Sequence, residues 1–231
     1  MSNDERSRLN EVYSDYESDE VQQRWDRTNP GNAQIVAEQF RVVTQLLATA
    51  GITSADRVLD LGAGSASTIP QLEAFRRDAT LVSLDLLETR VRQAAGVAEH
   101  DAYVVGDGTA LPFTPGSFQV VSLFTVLSSI LDVGLGKRLC AEVDRVLAPG
   151  GAVVFYDMRV ANRSNPNLRH LSRSDWTELF PSYRAELRSL TVAPPLARRL
   201  GVATGTLYPV LARVPLVRSH LAGVLVKPGR P

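Results

Sequence analysis

The chain has 231 residues, of which 44% are hydrophobic and 22% charged, and its 25 basic and 25 acidic side chains cancel to a formal net charge of zero. That length allows one full domain with a real core and a small appendage, and the charge balance argues against a nucleic-acid backbone as the main partner, because such proteins carry a basic excess. A single cysteine, Cys140, and three scattered histidines, His100, His170 and His220, leave no disulfide framework and no metal-ligand spacing.

Met1 to Arg8 is polar and charged, so no signal peptide is expected there. No apolar run reaches membrane-spanning length, and a cytoplasmic protein is expected. Residues 1–32 read as a lead segment carrying Tyr13, Tyr16 and Trp25 and ending in an Asn29-Pro30-Gly31 turn. Ile35, Val36, Phe40, Val43, Leu46 and Leu47 predict an amphipathic helix over 33–50, with Gly51 as its C′ residue.

The stretch from Arg57 to Ser65 organises the rest of the chain. Val58, Leu59 and Leu61 make a buried strand, and Gly62 and Gly64 make a tight turn that opens a helix over 66–76. Asp60 falls at the carboxyl end of that strand, where open α/β sheets bind ligands. A phosphate-binding loop would need a lysine after Gly64, and a dinucleotide fingerprint would need glycine or alanine where Ser67 stands. A cofactor without a pyrophosphate needs only the turn and a carboxylate.

Thr80 to Asp85 reads as a second strand ending in an acid, about twenty residues past the glycines, the spacing of a carboxylate that grips ribose hydroxyls. The plainer use of Asp85 is to cap the next helix, predicted over 87–98. A third strand from Ala102 runs into Asp107-Gly108-Thr109, which alone reads as an Asx turn. Ser117 to Phe124 is the fourth strand. A helix over 134–147 then meets Pro149-Gly150-Gly151, a tight turn into a fifth strand over 152–156.

Tyr156, Asp157 and Arg159 close the fifth strand, and a polar loop comes next with Asn165 and then His170. Loops at this edge hold acceptor substrates, and Asp157 or His170 has the chemistry to take a proton from one. The alternative is a structural Asp157–Arg159 ion pair with His170 at the surface. Ser172 starts a capped helix to Phe180, and strands are predicted at 185–192 and 221–226. Between them the insertion 193–215 is rich in Leu, Val, Pro and Arg. Such a broken helix covers a substrate pocket or a dimer seam more often than it rests on a membrane.

From Arg57 to Met158 these signals, in this order, resemble the methyltransferase type 11 group of the class I S-adenosyl-L-methionine (SAM) methyltransferases. The resemblance implies an α/β fold with a doubly wound, mostly parallel, Rossmann-like seven-stranded sheet and an antiparallel C-terminal strand, spanning 33–231. It implies SAM as cofactor and S-adenosyl-L-homocysteine as product, and the cysteine and histidine spacing gives no metal to expect. Asp60, Gly62, Ala63, Gly64, Asp85, Leu86, Asp107, Gly108 and Phe124 would hold the cofactor, Asp107 and its neighbour meeting the adenine. The lead segment would fold over it as a lid, with Tyr13, Tyr16, Trp25, Tyr156, Arg159 and Asn165 toward the acceptor. The sequence departs from the family at Ser129, where many relatives carry histidine, so no general base carries over.

The tail from Tyr156 is similar to small bacterial methyltransferases of glycan and natural-product biosynthesis. The expected activity is methyl transfer to an oxygen or nitrogen of a small-molecule or glycan acceptor. A peptide or protein acceptor, an NAD(P)-dependent oxidoreductase and a non-enzymatic interaction module are the competing readings. Stable membrane insertion is not expected; weak surface association and a homodimer are both compatible with the sequence.

Overall fold

The computed structural model describes residues 3–16, 26–64, 79–97, 101–161 and 165–229, without the side chains of residues 3, 4 and 14–16. The expected helix over 66–76, Trp25 and the side chain of Tyr16 therefore lie outside the described residues.

A seven-stranded sheet forms the centre, with β1 (Arg57–Leu61), β2 (Thr80–Asp85), β3 (Ala102–Val105), β4 (Phe118–Phe124), β5 (Leu147–Met158), β6 (Arg184–Val192) and β7 (Arg218–Val226) in the order β3-β2-β1-β4-β5-β7-β6. β7 runs antiparallel to both its neighbours, β5 and β6, and the other pairs are parallel. This is the architecture expected from the sequence. The strand order reverses between β1 and β4, which opens a crevice beyond their carboxyl ends.

Alternation along the strands sends successive side chains to opposite layers. Leu59, Leu61, Leu84, Leu123 and Phe155 pack on one face against α4 (Val133–Val146) and α5 (Arg173–Leu179), where Trp176 stacks on Phe155 at 3.5 Å. Val58, Leu81, Val120, Phe124 and Val154 pack on the other face against Val42, Val43, Leu46 and Leu47 of α2 (Pro30–Ala50). The other α-helices among the described residues are α1 (Asn3–Tyr16), α3 (Glu88–Val97), α6 (Pro194–Arg199) and α7 (Thr204–Leu211).

Local chemistry accounts for the helix ends. Asn29 accepts from Gly31 N at 2.9 Å, Pro30 takes the first helical position, and Gly51 closes α2 at φ 80°. A Cβ on Gly31 would strike the carbonyl oxygen of Ala197, so this glycine also lets α6 approach α2. Asp132 caps α4 through Leu135 N, and Ser172 with Asp175 forms a capping box on α5.

The junction after α4 differs from the expectation. β5 begins at Leu147, and Ala148 to Gly151 bulge out of its pairing with β4, where Phe118 pairs Leu147 and Val120 pairs Ala152. The glycines serve a bulge inside a strand. Gly150 has φ 77°, and a Cβ on Gly151 would come 2.7 Å from Gln119 O. The insertion after β6 forms two short helices, α6 and α7, whose buried Ala197 and Tyr208 cluster with Ile35 of α2. No helix among the described residues is long and apolar enough to cross a membrane.

Candidate cofactor and acceptor site

β1 ends in the glycine turn. Gly62 N and Ala63 N both donate to Leu84 O of β2, at 2.7 and 3.2 Å. Gly62 and Gly64 have φ 72° and 56°, which side chains rarely adopt. Space makes the same demand, since a Cβ on Gly62 would sit 2.7 Å from Val126 Cγ2.

Asp85, at the end of β2, accepts from Gly64 N through Oδ2 at 2.9 Å and from Leu87 N through Oδ1 at 3.0 Å. It therefore heads α3 and ties down the glycine turn together. Each carboxylate oxygen accepts two hydrogen bonds, so capacity remains for a diol. Beyond β3, Asp107 Oδ1 accepts from Thr109 N and Oγ1 at 2.8 and 2.7 Å, which is the Asx turn expected from the sequence. Burial works to raise the Asp107 pKa, but hydrogen bonds to its charged form, those of Thr109 among them, hold it below the usual carboxylate value.

These ends converge on one pocket. Its described lining includes Gly62, Asp85, Leu86, Asp107 and Gly108, apolar walls from Leu84, Leu87, Leu135 and Leu139, and Thr125, Val126 and Ser129 beyond β4. α1 contributes Leu9 and Tyr13 to the lining. Tyr13 donates to Ser129 Oγ at 2.9 Å, and its ring lies 4.2 Å below the Arg90 guanidinium. Arg8 pairs with Glu5 and donates to Ser129 O at 2.6 Å. The Arg8 hydrogen bond, outweighing burial, lowers the Glu5 pKa. The resulting face of α1, Glu5, Arg8, Leu9 and Tyr13, has helical spacing that the sequence displays but that few apolar residues reinforce.

Thr125 marks where β4 meets this pocket. It is a β-branched residue at φ 57°, a conformation that persists only when neighbours impose it. Thr125 N donates to Tyr156 O at 2.7 Å, and Thr125 O accepts from Ser129 Oγ at 2.9 Å. Behind it, Asp157 is wholly buried and accepts from Ser128 N at 3.1 Å and Met158 N at 2.8 Å. Arg169 completes the support by donating from Nε to Leu127 O and from its backbone N to Ser128 O. Burial raises the Asp157 pKa to about 6.

Several residues expected at the site lie elsewhere. Asp60 is buried on the α2 face and accepts from Ser122 Oγ at 2.5 Å. Ala63 and Gly64 shape the turn without lining the described pocket, and Phe124 points into the α2 core. Tyr156 is buried with its hydroxyl on Thr191 and its ring stacked on His220. Arg159 donates to Arg218 O and Pro215 O, which holds the insertion in place, and the sequence alternative of an ion pair with Asp157 is not formed. Asn165 accepts from Asn167 N in its own loop, and His170 is exposed. Neither lines the pocket.

A methyltransferase-domain family model matches residues 59–155, from the strand before the glycine turn to the middle of β5. Over this span the chain is similar to a methyltransferase domain. The demethylmenaquinone methyltransferase of Mycolicibacterium gilvum (strain PYR-GCK) is 34% identical over 140 residues, 59% of this chain and 56% of that protein. The match thus spans little more than half the length of that relative. The N-methyltransferase NodS of Bradyrhizobium japonicum WM9, in complex with S-adenosyl-L-homocysteine, superposes with a TM-score of 0.66 at 16% identity, covering 95% of this chain and 97% of that one. The [4+2]-cyclase SpnF superposes at 0.59 with 17% identity, covering 83% and 81%. The fold is thus that of the class I SAM-dependent methyltransferases, and it hosts more than one chemistry.

The described pocket has the chemistry to fit SAM. The bare turn at Gly62 admits close approach, Asp85 can accept from a diol, and Asp107 with Gly108 can offer an acceptor beside a backbone amide. Among the described lining residues there are two aspartates and no lysine or arginine, which suits a cationic sulfonium and repels a pyrophosphate.

Proposed function

We propose that the chain is a SAM-dependent methyltransferase for a small-molecule acceptor, methylating an oxygen or nitrogen that is nucleophilic without help from a base. One juxtaposition supports this reading. The described pocket pairs two carboxylates on the cofactor side with hydroxyls alone, Thr125, Ser129 and Tyr13, on the side toward α1.

Bound SAM supplies an electrophilic methyl group on a charged sulfur and leaves as S-adenosyl-L-homocysteine. The chain's part is positioning. Asp85 and Asp107 fix the adenosine, while Thr125, held by Tyr156 and Ser129, sets the wall against which an acceptor packs. Alignment of this kind supplies much of the rate of a methyl transfer. Asp157 lies behind the wall and supports the Leu127–Ser129 turn, so it acts as a positioning residue. A neutral alcohol needs a base, whereas an amine or phenolate does not. Glycans and natural products bearing such groups are the favoured acceptors. The name shared by the curated relatives favours a second acceptor, demethylmenaquinone.

Incubation with methyl-labelled SAM and a panel of amines, phenols, neutral sugars, peptides and demethylmenaquinone, read by mass spectrometry, tests this. Label is expected on amines or phenols. Transfer to demethylmenaquinone alone would select the second acceptor, and label only on neutral hydroxyls or peptides would overturn the proposal.

A further inference from the structure

The charge balance is uneven along the chain. From Leu187 to Pro231 there is no aspartate or glutamate, while Arg188, Arg198, Arg199, Arg213, Arg218 and Lys227 lie in the described part of that stretch. The neutral whole hides a basic C-terminal region and an acidic remainder.

Within this region the segment between β6 and β7 turns its apolar side chains outward. Leu196, Val202, Leu207, Val210, Val214 and Leu216 are exposed, Val202 and Leu216 at 105% and 92%. Leu207 and Val210 are three apart on α7 and share one of its sides, while Thr204 and Tyr208 are buried on another. Arg199 and Arg213 are exposed among these residues. None of the segment is among the described lining of the pocket. Register fixes its location. Met158 pairs with His220, and Val192 with Arg218, so the segment emerges at the end of the sheet where β1, β2 and β4 deliver the glycine turn, Asp85 and Thr125.

We propose that residues 193–217 dock on an anionic phospholipid bilayer, with the aliphatic side chains entering the headgroup region and the arginines meeting lipid phosphates. Exposed aliphatics beside the exposed Arg199 and Arg213, in a segment with no carboxylate of its own, have the chemistry of an interfacial anchor. A second copy of the chain fits less well. A two-fold interface sets a patch against itself, so arginines would face arginines with no carboxylate from this segment to offset them. Docking would turn the pocket end of the sheet toward the lipid surface, where an acceptor dissolved in the bilayer is within reach.

The full chain should be sedimented with vesicles of phosphatidylcholine alone and with phosphatidylglycerol added. Binding is expected to the anionic vesicles, weakening with salt. Arg199→Glu with Arg213→Glu should reduce it about tenfold or more, and Val202→Asp with Leu216→Asp should reduce it comparably. These side chains are exposed, so SAM affinity and circular dichroism should stay as in the wild type and report an intact fold. No binding to anionic vesicles, or binding that both double variants retain, would overturn the proposal. So would a dimer in light scattering that Val202→Asp with Leu216→Asp converts to monomer, since the face would then be a seam between copies.

Discussion

Asp85 serves two ends with one carboxylate. It draws Gly64 N and Leu87 N together and so builds the rim on which a ribose would rest. Hydrogen bonds to a charged group are worth about 1.5–3 kcal/mol, so Asp85→Ala should weaken SAM binding at least about tenfold by calorimetry; an unchanged affinity would remove the ribose assignment. Asp157 makes a different prediction. Its folded pKa is raised from 3.8 to about 6, so between these values the folded protein binds the proton more tightly than the unfolded chain. Stability from this group therefore rises as pH falls from 7 toward 4. Buried His220, whose pKa burial lowers to about 4, has the opposite sign over an overlapping window. The wild type should thus gain melting temperature relative to Asp157→Asn between pH 7 and 5. A difference that does not change with pH would show that Asp157 is already charged without penalty.

The elements explain what the sequence made legible. Gly62, Gly64, Asp85 and Asp107 sit at strand ends in a fixed order, and a strand end followed by glycine or acid is a local signal. The body and end of α2 were equally legible from its apolar spacing and Gly51, but its start was not, because Asn29-Pro30-Gly31, expected as a turn, is the cap and first residues of the helix. Side-chain direction was not legible. Phe124 and Tyr156 lie at the right strand ends, but alternation turns both into the α2 core. Arg159 looked available to an acceptor, and its guanidinium is spent on two carbonyls of a distant segment. α1 was the hardest, since its hold on the pocket comes from Arg8 and Tyr13 meeting Ser129, contacts more than a hundred residues apart in sequence. If α1 retains the cofactor, Arg8→Ala should speed S-adenosyl-L-homocysteine release several-fold in stopped-flow, in line with about 1 kcal/mol for the lost contacts. An unaltered release rate would mean that α1 packs on the pocket without gating it.

At the scale of the molecule, one sheet sorts the tasks by position. Its first half, β3-β2-β1-β4, gathers the glycine turn, Asp85, Asp107 and Thr125 at one end. Its second half, β5-β7-β6, carries the basic apolar segment at the same end. The reading as a methyltransferase rests on the first half being shaped for an adenosyl sulfonium. Calorimetric titration of the full chain with SAM, and with NADH as the control, measures this most directly. One site of micromolar affinity or tighter for SAM, on the order of −8 kcal/mol, is the result predicted. Heat of binding from NADH and none from SAM would contradict it.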